Sequence, residues 1–215
     1  MRKQEVRSII ERVGIVPVIR ASSAEEARFA ADCVAKGGVP IVEITMTVPG
    51  AVEVIRELVK SMPQVLVGAG TVLNEGSVRH CADAGAQFLV TPGFDALTVA
   101  AARKLDLLIM AGALTPSEIM AASASGADFV KVFPCGSLGG SKYIQALRGP
   151  FPKVPFVPTG GVNVETAADY IRAGAAALGV GGEMVSKDAL KARDGDVISK
   201  LAALFVDLVR DARPH

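Results

Sequence analysis

Several residue types that carry familiar chemistry are scarce in this chain of 215 residues. It has no tryptophan and only two histidines, His80 and His215, and its three cysteines, Cys33, Cys81 and Cys135, lie far apart. Two isolated histidines exclude a histidine-rich zinc site, and no group of carboxylates has the spacing of metal ligands. We therefore expect no metal and no other cofactor, and we expect both histidines at the surface.

The charge and hydrophobicity of the chain exclude two classes of partner. The formal net charge is +1 and aromatic residues make up 5% of the chain. Without a basic block or aromatic side chains to stack on bases, we expect no nucleic acid partner. The charged N-terminal segment does not resemble a signal peptide, and no apolar run is long enough to cross a membrane. Because scattered cysteines are typical of reduced thiols, the sequence predicts a soluble cytoplasmic protein.

Alternating strand-like and helix-like segments predict the fold. Four phrases in which glycine ends a helix lead into strands, at residues 36–39, 84–86, 125–127 and 173–175, and their glycines suit the left-handed position after a helix. Further apolar runs at 15–20, 65–70, 107–112 and 156–161 bring the number of strands to eight. The intervening helices are expected to begin near N-caps such as Ser23, Thr115 and Asn163.

Continuous apolar strands that alternate with helices indicate a parallel sheet covered by helices. Eight such units in this length predict an α/β fold, a (βα)8 TIM barrel with a short N-terminal helix, in which residues 1–215 form a single domain. A doubly wound open sheet is the alternative. The first strand–helix turn lacks the GxGxxG pattern of such sheets, which favours the barrel.

One charged residue, Lys131, interrupts the apolar strand predicted within residues 127–134. Lysine is rarely buried, and the pattern by itself favours an edge strand whose ammonium group reaches solvent. A closed barrel has no edge strand, however, so the side chain would be buried. Burial lowers the pKa of an amine and leaves it uncharged, which makes it a nucleophile toward a carbonyl carbon.

A second charge, Glu43, lies within the apolar run 39–47. Side chains alternate along a strand, and if the faces that carry Lys131 and Glu43 both point into the barrel, the two charges share one apolar interior. Each would then reduce the cost of burying the other, and together they would supply an amine and a carboxylate. A purely structural buried ion pair is the alternative.

Other polar or turn-forming residues stand where barrel strands end. Arg20 ends the first strand, Thr71 ends the third, and Pro92 follows the fourth. Because the carboxyl ends of barrel strands surround the active site, these residues are expected to converge. Glycine-rich turns at 159–161 and 179–182 follow the last two strands, and such turns expose backbone N–H groups at the usual phosphate site of a TIM barrel.

Several longer motifs occur in the order typical of one enzyme family. They are the segments 42–45, 67–74, 91–93, 129–134, 149–152 and 158–162. In these segments the chain resembles the class I aldolases of 2-keto-3-deoxy-6-phosphogluconate (KDPG) and 4-hydroxy-2-oxoglutarate (KHG). The resemblance implies cleavage of KDPG to pyruvate and glyceraldehyde 3-phosphate and of the second keto acid to pyruvate and glyoxylate. It also implies a homotrimer.

The same resemblance implies roles for individual residues. Lys131 would form the Schiff base with the keto carbon, and Glu43 would be the general acid and base. Thr71, Pro92 and Phe133 would line the pyruvate pocket. The two glycine-rich turns would hold the distal end of the substrate, through Thr159, Gly160, Gly161, Gly181 and Gly182.

Two positions depart from the family's usual pattern. Many members have a substrate-contacting arginine where this chain has Thr47, and Arg20 would supply the missing positive charge. Many members also have a phosphate-binding serine where this chain has Gly182, and Glu183 follows it. We expect Glu183 to point to solvent, which would preserve phosphate binding. A Glu183 that faced the pocket would favour the non-phosphorylated substrate.

Alternative functions stay open at the level of sequence. The galactonate-derived substrate 2-keto-3-deoxy-6-phosphogalactonate differs from KDPG only at C4. Another phosphate-binding TIM-barrel enzyme, such as a sugar-phosphate epimerase or synthase, would usually need metal ligands or an acid–base pair that this chain does not offer. A non-catalytic barrel has no need of two inward charges.

Overall fold

The computed structural model describes residues 1–213, which form a barrel of eight parallel strands surrounded by helices. All residues of every strand are buried, as expected for strands covered on both faces. The strands are β1 (Ile15–Ile19), β2 (Ile41–Thr45), β3 (Leu66–Gly70), β4 (Phe88–Val90), β5 (Leu108–Ala113), β6 (Phe129–Val132), β7 (Phe156–Pro158) and β8 (Leu178–Val180).

The strands follow one another around the barrel in the order β7-β6-β5-β4-β3-β2-β1-β8. A parallel bridge between Thr159 and Gly179, just after β7 and within β8, joins the two ends of the sheet. The closed arrangement confirms the predicted (βα)8 barrel and leaves Lys131 no edge strand to occupy.

Ten α-helices and one short 3-10 helix (Gly136–Leu138) lie within residues 1–213, and one α-helix precedes the first strand. This first helix packs at the amino-terminal end of the barrel, where Lys3 forms an ion pair of 2.9 Å with Asp128, just before β6. The opposite end therefore stays open. The helices are α1 (Lys3–Val13), α2 (Ala24–Lys36), α3 (Ala51–Ser61), α4 (Glu75–Asp83), α5 (Ala96–Lys104), α6 (Pro116–Ala124), α7 (Ser141–Arg148), α8 (Ala167–Arg172), α9 (Lys187–Ala192) and α10 (Gly195–Ala212).

The predicted helix starts are partly confirmed. Ser23 caps α2 by accepting the Glu26 N–H at 3.1 Å, and Thr115 forms a capping box with Glu118 at the start of α6. The prediction for Asn163 was wrong by three residues. Its side chain accepts two backbone N–H groups in a turn, and α8 begins only afterwards.

The glycines that follow helices mostly adopt the predicted left-handed backbone. Gly38, Gly85, Gly126 and Gly174 have φ between +83° and +95°. The exception is Gly37, whose φ of −75° is ordinary, so that the left-handed position falls one residue later in that phrase. Within residues 1–213, no helix is both long enough and apolar enough to cross a membrane.

Candidate active site

Lys131 lies in the third position of β6, between Gly112 of β5 and Val157 of β7. Its exposed fraction is 3%. The Nζ atom of Lys131 lies 5.2 Å from the centroid of the ring of Phe133, two residues further on. The lysine is therefore buried near the carboxyl end of the strand, where barrel enzymes place their active sites.

Glu43 lies in the middle of β2, opposite Val18 of β1 and Gly68 of β3. It is 2% exposed, and its Oε1 accepts no hydrogen bond from any residue in 1–213. A buried carboxylate oxygen without a donor is costly, and such groups are concentrated at functional sites. The carboxylate lies more than 4.0 Å from Lys131 Nζ, so the two groups form no direct ion pair.

Gly70, the last residue of β3, provides the space for the Glu43 carboxylate. A Cβ atom at Gly70 would lie 2.5 Å from Glu43 Cδ and 2.8 Å from its Cγ, and closer still to Oε1. One layer below, the Phe88 ring fills the interior against Gly68 in the same way. The glycines of β3 therefore let Glu43 point across the barrel interior toward its carboxyl end.

Burial shifts the pKa values of the two charged groups in opposite directions. Loss of water raises the pKa of the Glu43 carboxyl group, and the positive charges of Lys131 and Arg20 offset part of that rise. Loss of water likewise lowers the pKa of the Lys131 amine, and Arg20 lowers it further, while Glu43 acts in the opposite direction. Both shifts favour the uncharged forms, an amine and a carboxylic acid.

The loop after β4 closes over the neighbourhood of Lys131. Thr91 accepts the Gly112 N–H at 2.9 Å and donates its hydroxyl to the Gly93 carbonyl at 2.6 Å. The backbone of Pro92 and Gly93 lies directly against the Cα of Gly112, where any side chain would collide with it. Because Gly112 pairs with Lys131, the Pro92 backbone lies against the strand neighbour of the lysine.

Thr71, directly after Gly70, has a φ of +57°. This left-handed conformation is rare for a β-branched residue and costs roughly 1–3 kcal/mol. Strained residues of this kind persist where the surrounding structure holds them, and they cluster at active sites. The strain at the end of β3 is thus a second, independent sign that Thr71 belongs to the site.

A cavity of about 190 Å³ lies beyond the two buried charges, at the ends of β1, β7 and β8. The cavity brings together seven of the predicted site residues: Arg20, Phe133, Thr159, Gly160, Gly161, Gly181 and Gly182. Thr159 is 4% exposed, and its side chain packs against Gly179. Four other predicted site residues do not line this cavity, because they lie deeper or on the opposite side of the barrel mouth. They are Lys131, Glu43, Thr71 and Pro92.

The walls of this cavity carry unused hydrogen-bond donors. The N–H groups of Gly160, Gly161, Gly181 and Gly182 donate to no acceptor within residues 1–213. Converging free N–H groups form a concavity that favours an anion. Glu183 is exposed, and the residue also lines the cavity, so solvent and the cavity both border it.

Two glycines, Gly70 and Gly112, contribute to the site although the sequence interpretation did not single them out. A glycine inside a strand weakens the strand unless another group approaches its backbone closely. Both glycines meet that condition, since one faces the Glu43 carboxylate and the other the Pro92 backbone. Gly70 ends β3 and Gly112 lies within β5, both in apolar strands near the site. A glycine at such a position was the signal that could have revealed these two residues.

The histidines do not take part in this arrangement. His80 is exposed on α4, as expected, and His215 lies outside the described residues. Within residues 1–213, no three His, Cys, Asp or Glu side chains are grouped as metal ligands would be.

The barrel, the buried amine with its carboxylate neighbour and the anion-favouring cavity together define a class I aldolase, a carbon–carbon lyase that works through a Schiff base. Comparison with known proteins narrows the class. The chain belongs to the KDPG and KHG aldolase family, whose family model matches residues 6–201.

Relatives of known function are similar over nearly their whole length. The KHG/KDPG aldolase of Escherichia coli (strain K12) is 39% identical over 206 residues, 95% of this chain and 96% of that protein. The 2-dehydro-3-deoxy-phosphogluconate aldolase of Dickeya dadantii (strain 3937) is 37% identical over 93% of this chain and 94% of that protein.

A solved structure, KDPG aldolase from Legionella pneumophila, contains pyruvate captured at low pH as a covalent carbinolamine intermediate. It matches with a TM-score of 0.86 and 30% identity, covering 92% of this chain and 96% of that one. The match confirms the predicted fold and the resemblance to this family. Membership of the family also removes the support for an epimerase, a synthase or a non-catalytic barrel.

We predict that Gly70→Ala displaces the Glu43 carboxylate. The added Cβ would occupy the position of Oε1, so the glutamate must move or the strands must separate, at a cost of about 1–3 kcal/mol. A displacement of about 1 Å at a reacting group lowers kcat by roughly 100-fold. Gly149→Ala is the control, because a Cβ there makes only an ordinary contact at 3.4 Å. Equal kcat values for the two variants would contradict the placement of Glu43.

Proposed function

We propose that this protein cleaves KDPG to pyruvate and glyceraldehyde 3-phosphate, and 4-hydroxy-2-oxoglutarate to pyruvate and glyoxylate. The observation that carries the proposal is the buried Lys131 amine, whose pKa is lowered by burial, in a barrel that also buries Glu43 and has at its mouth a cavity lined by free N–H groups. The similar KHG/KDPG aldolase and 2-dehydro-3-deoxy-phosphogluconate aldolase favour these substrates over the galactonate-derived alternative.

Lys131 is the nucleophile in this proposal. Its uncharged amine attacks the C2 carbonyl carbon of the keto acid to form a carbinolamine, which loses water to become an imine. The protonated imine then accepts the electron pair of the breaking C3–C4 bond, and an enamine of pyruvate forms. Protonation at C3 and hydrolysis of the imine release pyruvate and restore the amine.

Glu43 is the proposed acid and base. As a carboxylic acid it donates the proton that lets hydroxide leave the carbinolamine as water, and as a carboxylate it removes the C4 hydroxyl proton during cleavage. The separation of more than 4.0 Å from Lys131 Nζ leaves room for a substrate atom or a water molecule between them. Burial raises the pKa of Glu43 and so favours the carboxylic acid, the form that the dehydration step requires.

The two ends of the substrate occupy different parts of the barrel mouth. We place the pyruvate part against Thr71, Pro92 and Phe133, around Lys131. The distal end then lies in the cavity of about 190 Å³, which we call the distal cavity. Its anionic group contacts the free N–H groups of the glycine-rich turns and lies near the Arg20 guanidinium.

The proposal is tested by supplying each keto acid to the purified protein and measuring pyruvate with lactate dehydrogenase and NADH. We expect pyruvate from both substrates, in proportion to enzyme. Absence of pyruvate from both would contradict the proposed function, and release only from the galactonate-derived compound would reassign the C4 preference.

Arg20→Ala is expected to raise KM for KDPG by about tenfold, because a charge-assisted hydrogen bond to an anion contributes roughly 1.5–3 kcal/mol. Arg20 lines the distal cavity. Many family members have a substrate-contacting arginine at the position of Thr47, and this chain lacks it. The measurement is steady-state kinetics with KDPG beside Arg172→Ala, an exposed arginine of α8. An unchanged KM in Arg20→Ala would contradict this role.

Gly182→Ser is expected to increase kcat/KM for KDPG relative to the non-phosphorylated substrate, by several-fold, because it adds a hydroxyl donor to the distal cavity. A Cβ at Gly182 has no neighbour within 4 Å, so the serine fits without strain. Gly149→Ser, outside the cavity, serves as the control. If the substrate ratio stays constant in Gly182→Ser, the phosphate does not bind at this turn.

The assembly and the compartment of the protein are also proposals. A homotrimer is implied by the family resemblance, and exposed apolar side chains after β3, β4 and β6, namely Leu73, Leu97 and Leu138, offer surface for one. Light scattering on the purified protein measures the mass directly.

A cytoplasmic location is supported by the three cysteines, which are free and buried: Cys33, Cys81 and Cys135. Cell fractionation tests it.

A further inference from the structure

A second cavity, of about 440 Å³, adjoins the distal cavity on the other side of Arg20. We call it the basic cavity. Its walls come from the end of β1, the start of α2 and from α9, and they are formed by Arg20, Ala21, Ser22, Glu26, Lys187, Leu190 and Lys191. Its volume is in the range that holds a small metabolite.

The cations of the basic cavity have no carboxylate partners. Arg20, Lys187 and Lys191 form no ion pair within 4.0 Å among residues 1–213. Cations on the surrounding helices do pair, for example Arg28 with Glu57 at 2.6 Å and Arg193 with Glu25. The three positive charges therefore border one space, and none of them forms an ion pair within 4.0 Å among residues 1–213.

The single carboxylate in the wall of the basic cavity, that of Glu26, already accepts hydrogen bonds from a neighbouring residue. Glu26 accepts the Ser22 N–H at 2.8 Å and the Ser22 hydroxyl at 2.6 Å, which stabilise its charged form and lower its pKa. The cavity thus carries three positive charges and one negative charge. A dianion gains about twice the Coulomb energy of a monoanion in such a field, so phosphate is favoured over a single carboxylate.

We propose that the basic cavity is a second anion site that binds a phosphate group, free or as the phosphomonoester of a small molecule, beside the catalytic cavity. Lys187 and Lys191 hold the anion from α9, and Leu190 provides an apolar floor for a carbon skeleton. Arg20 lies in the wall shared by both cavities, so an occupant of the basic cavity draws its guanidinium away from the distal end of the substrate.

Isothermal titration calorimetry with inorganic phosphate at low ionic strength tests the site without any use of aldolase activity. We expect two phosphate ions per chain for the unmodified protein. In Lys187→Ala/Lys191→Ala the affinity of one site should fall by about tenfold or more, while kcat for 4-hydroxy-2-oxoglutarate stays unchanged.

The matched control is Lys60→Ala/Lys200→Ala, which removes the same net charge from exposed positions outside the cavity. This control should keep both phosphate sites, and thermal melting checks that both double variants fold. Equal phosphate affinities in the two double variants, one phosphate or none per chain in the unmodified protein, or loss of the site in the control would each overturn the proposal.

Discussion

Lys131→Met is expected to lower kcat for cleavage of either keto acid by on the order of 10⁴-fold or more, because it removes the amine that we propose forms the imine. Methionine is an unbranched side chain of similar length, so it fills the same apolar space. The measurement is a single-turnover assay with both substrates. Lys200→Met, at an exposed position of α10, is the control and should keep full activity.

The same substitution should raise stability, and this separates lost chemistry from lost folding. Burial lowers the pKa of the folded Lys131 amine below its ordinary value of 10.5, so the charged form is disfavoured in the folded state. The resulting free-energy cost to the folded state is absent above pH 10.5, the ordinary pKa of the lysine in the unfolded chain, and it grows as pH falls below that value. Lys131→Met removes the cost, and its melting temperature near neutral pH should equal or exceed that of the unmodified protein. A large fall in melting temperature would contradict this account.

Glu43→Gln is expected to lower kcat by about 10²- to 10⁴-fold, the usual contribution of a positioned acid or base. The amide keeps the shape of the side chain over Gly70 but cannot exchange a proton, so KM should change little. Glu165→Gln, at an exposed position, is the matched control. Activity within a factor of two of the control would remove Glu43 from the proton transfers.

The stability of Glu43→Gln should depend on pH in a defined direction. The folded pKa of Glu43 is raised above its ordinary value of 4.5, so the folded state is penalised increasingly as pH rises through 4.5. Below 4.5 the carboxyl group is protonated in both the folded and the unfolded state, and the penalty disappears. Glu43→Gln should therefore be more stable than the unmodified protein near neutral pH and similar to it at low pH. Thermal melting at the two pH values checks the sign.

The order of strands and helices could be predicted because the strands are apolar runs and several helices begin at a capping residue, such as Ser23 before α2 and Thr115 before α6. Lys131 and Glu43 could be found for the same reason: a charge inside an apolar run stands out from its neighbours. Strand ends were less accessible. The run 39–47 looked continuous, yet β2 ends at Thr45, where the backbone turns toward the next helix.

The remaining parts of the site depend on which residues meet across the barrel. Gly70 matters only because Glu43 lies over it, and the two are on different strands. Glu183 lies at the mouth of the distal cavity, which the helix-start argument did not reveal. Lys187 and Lys191 look like ordinary surface lysines of a short helix until the fold brings Arg20 to the same space.

Covalent trapping of the imine tests the proposed role of Lys131 as the amine that forms the Schiff base. The protein is incubated with pyruvate, treated with sodium borohydride, digested with protease and analysed by mass spectrometry. We expect one reduced pyruvate adduct per chain on the peptide that contains Lys131, and none in Lys131→Met. An adduct on another lysine, or no adduct in the unmodified protein, would contradict it.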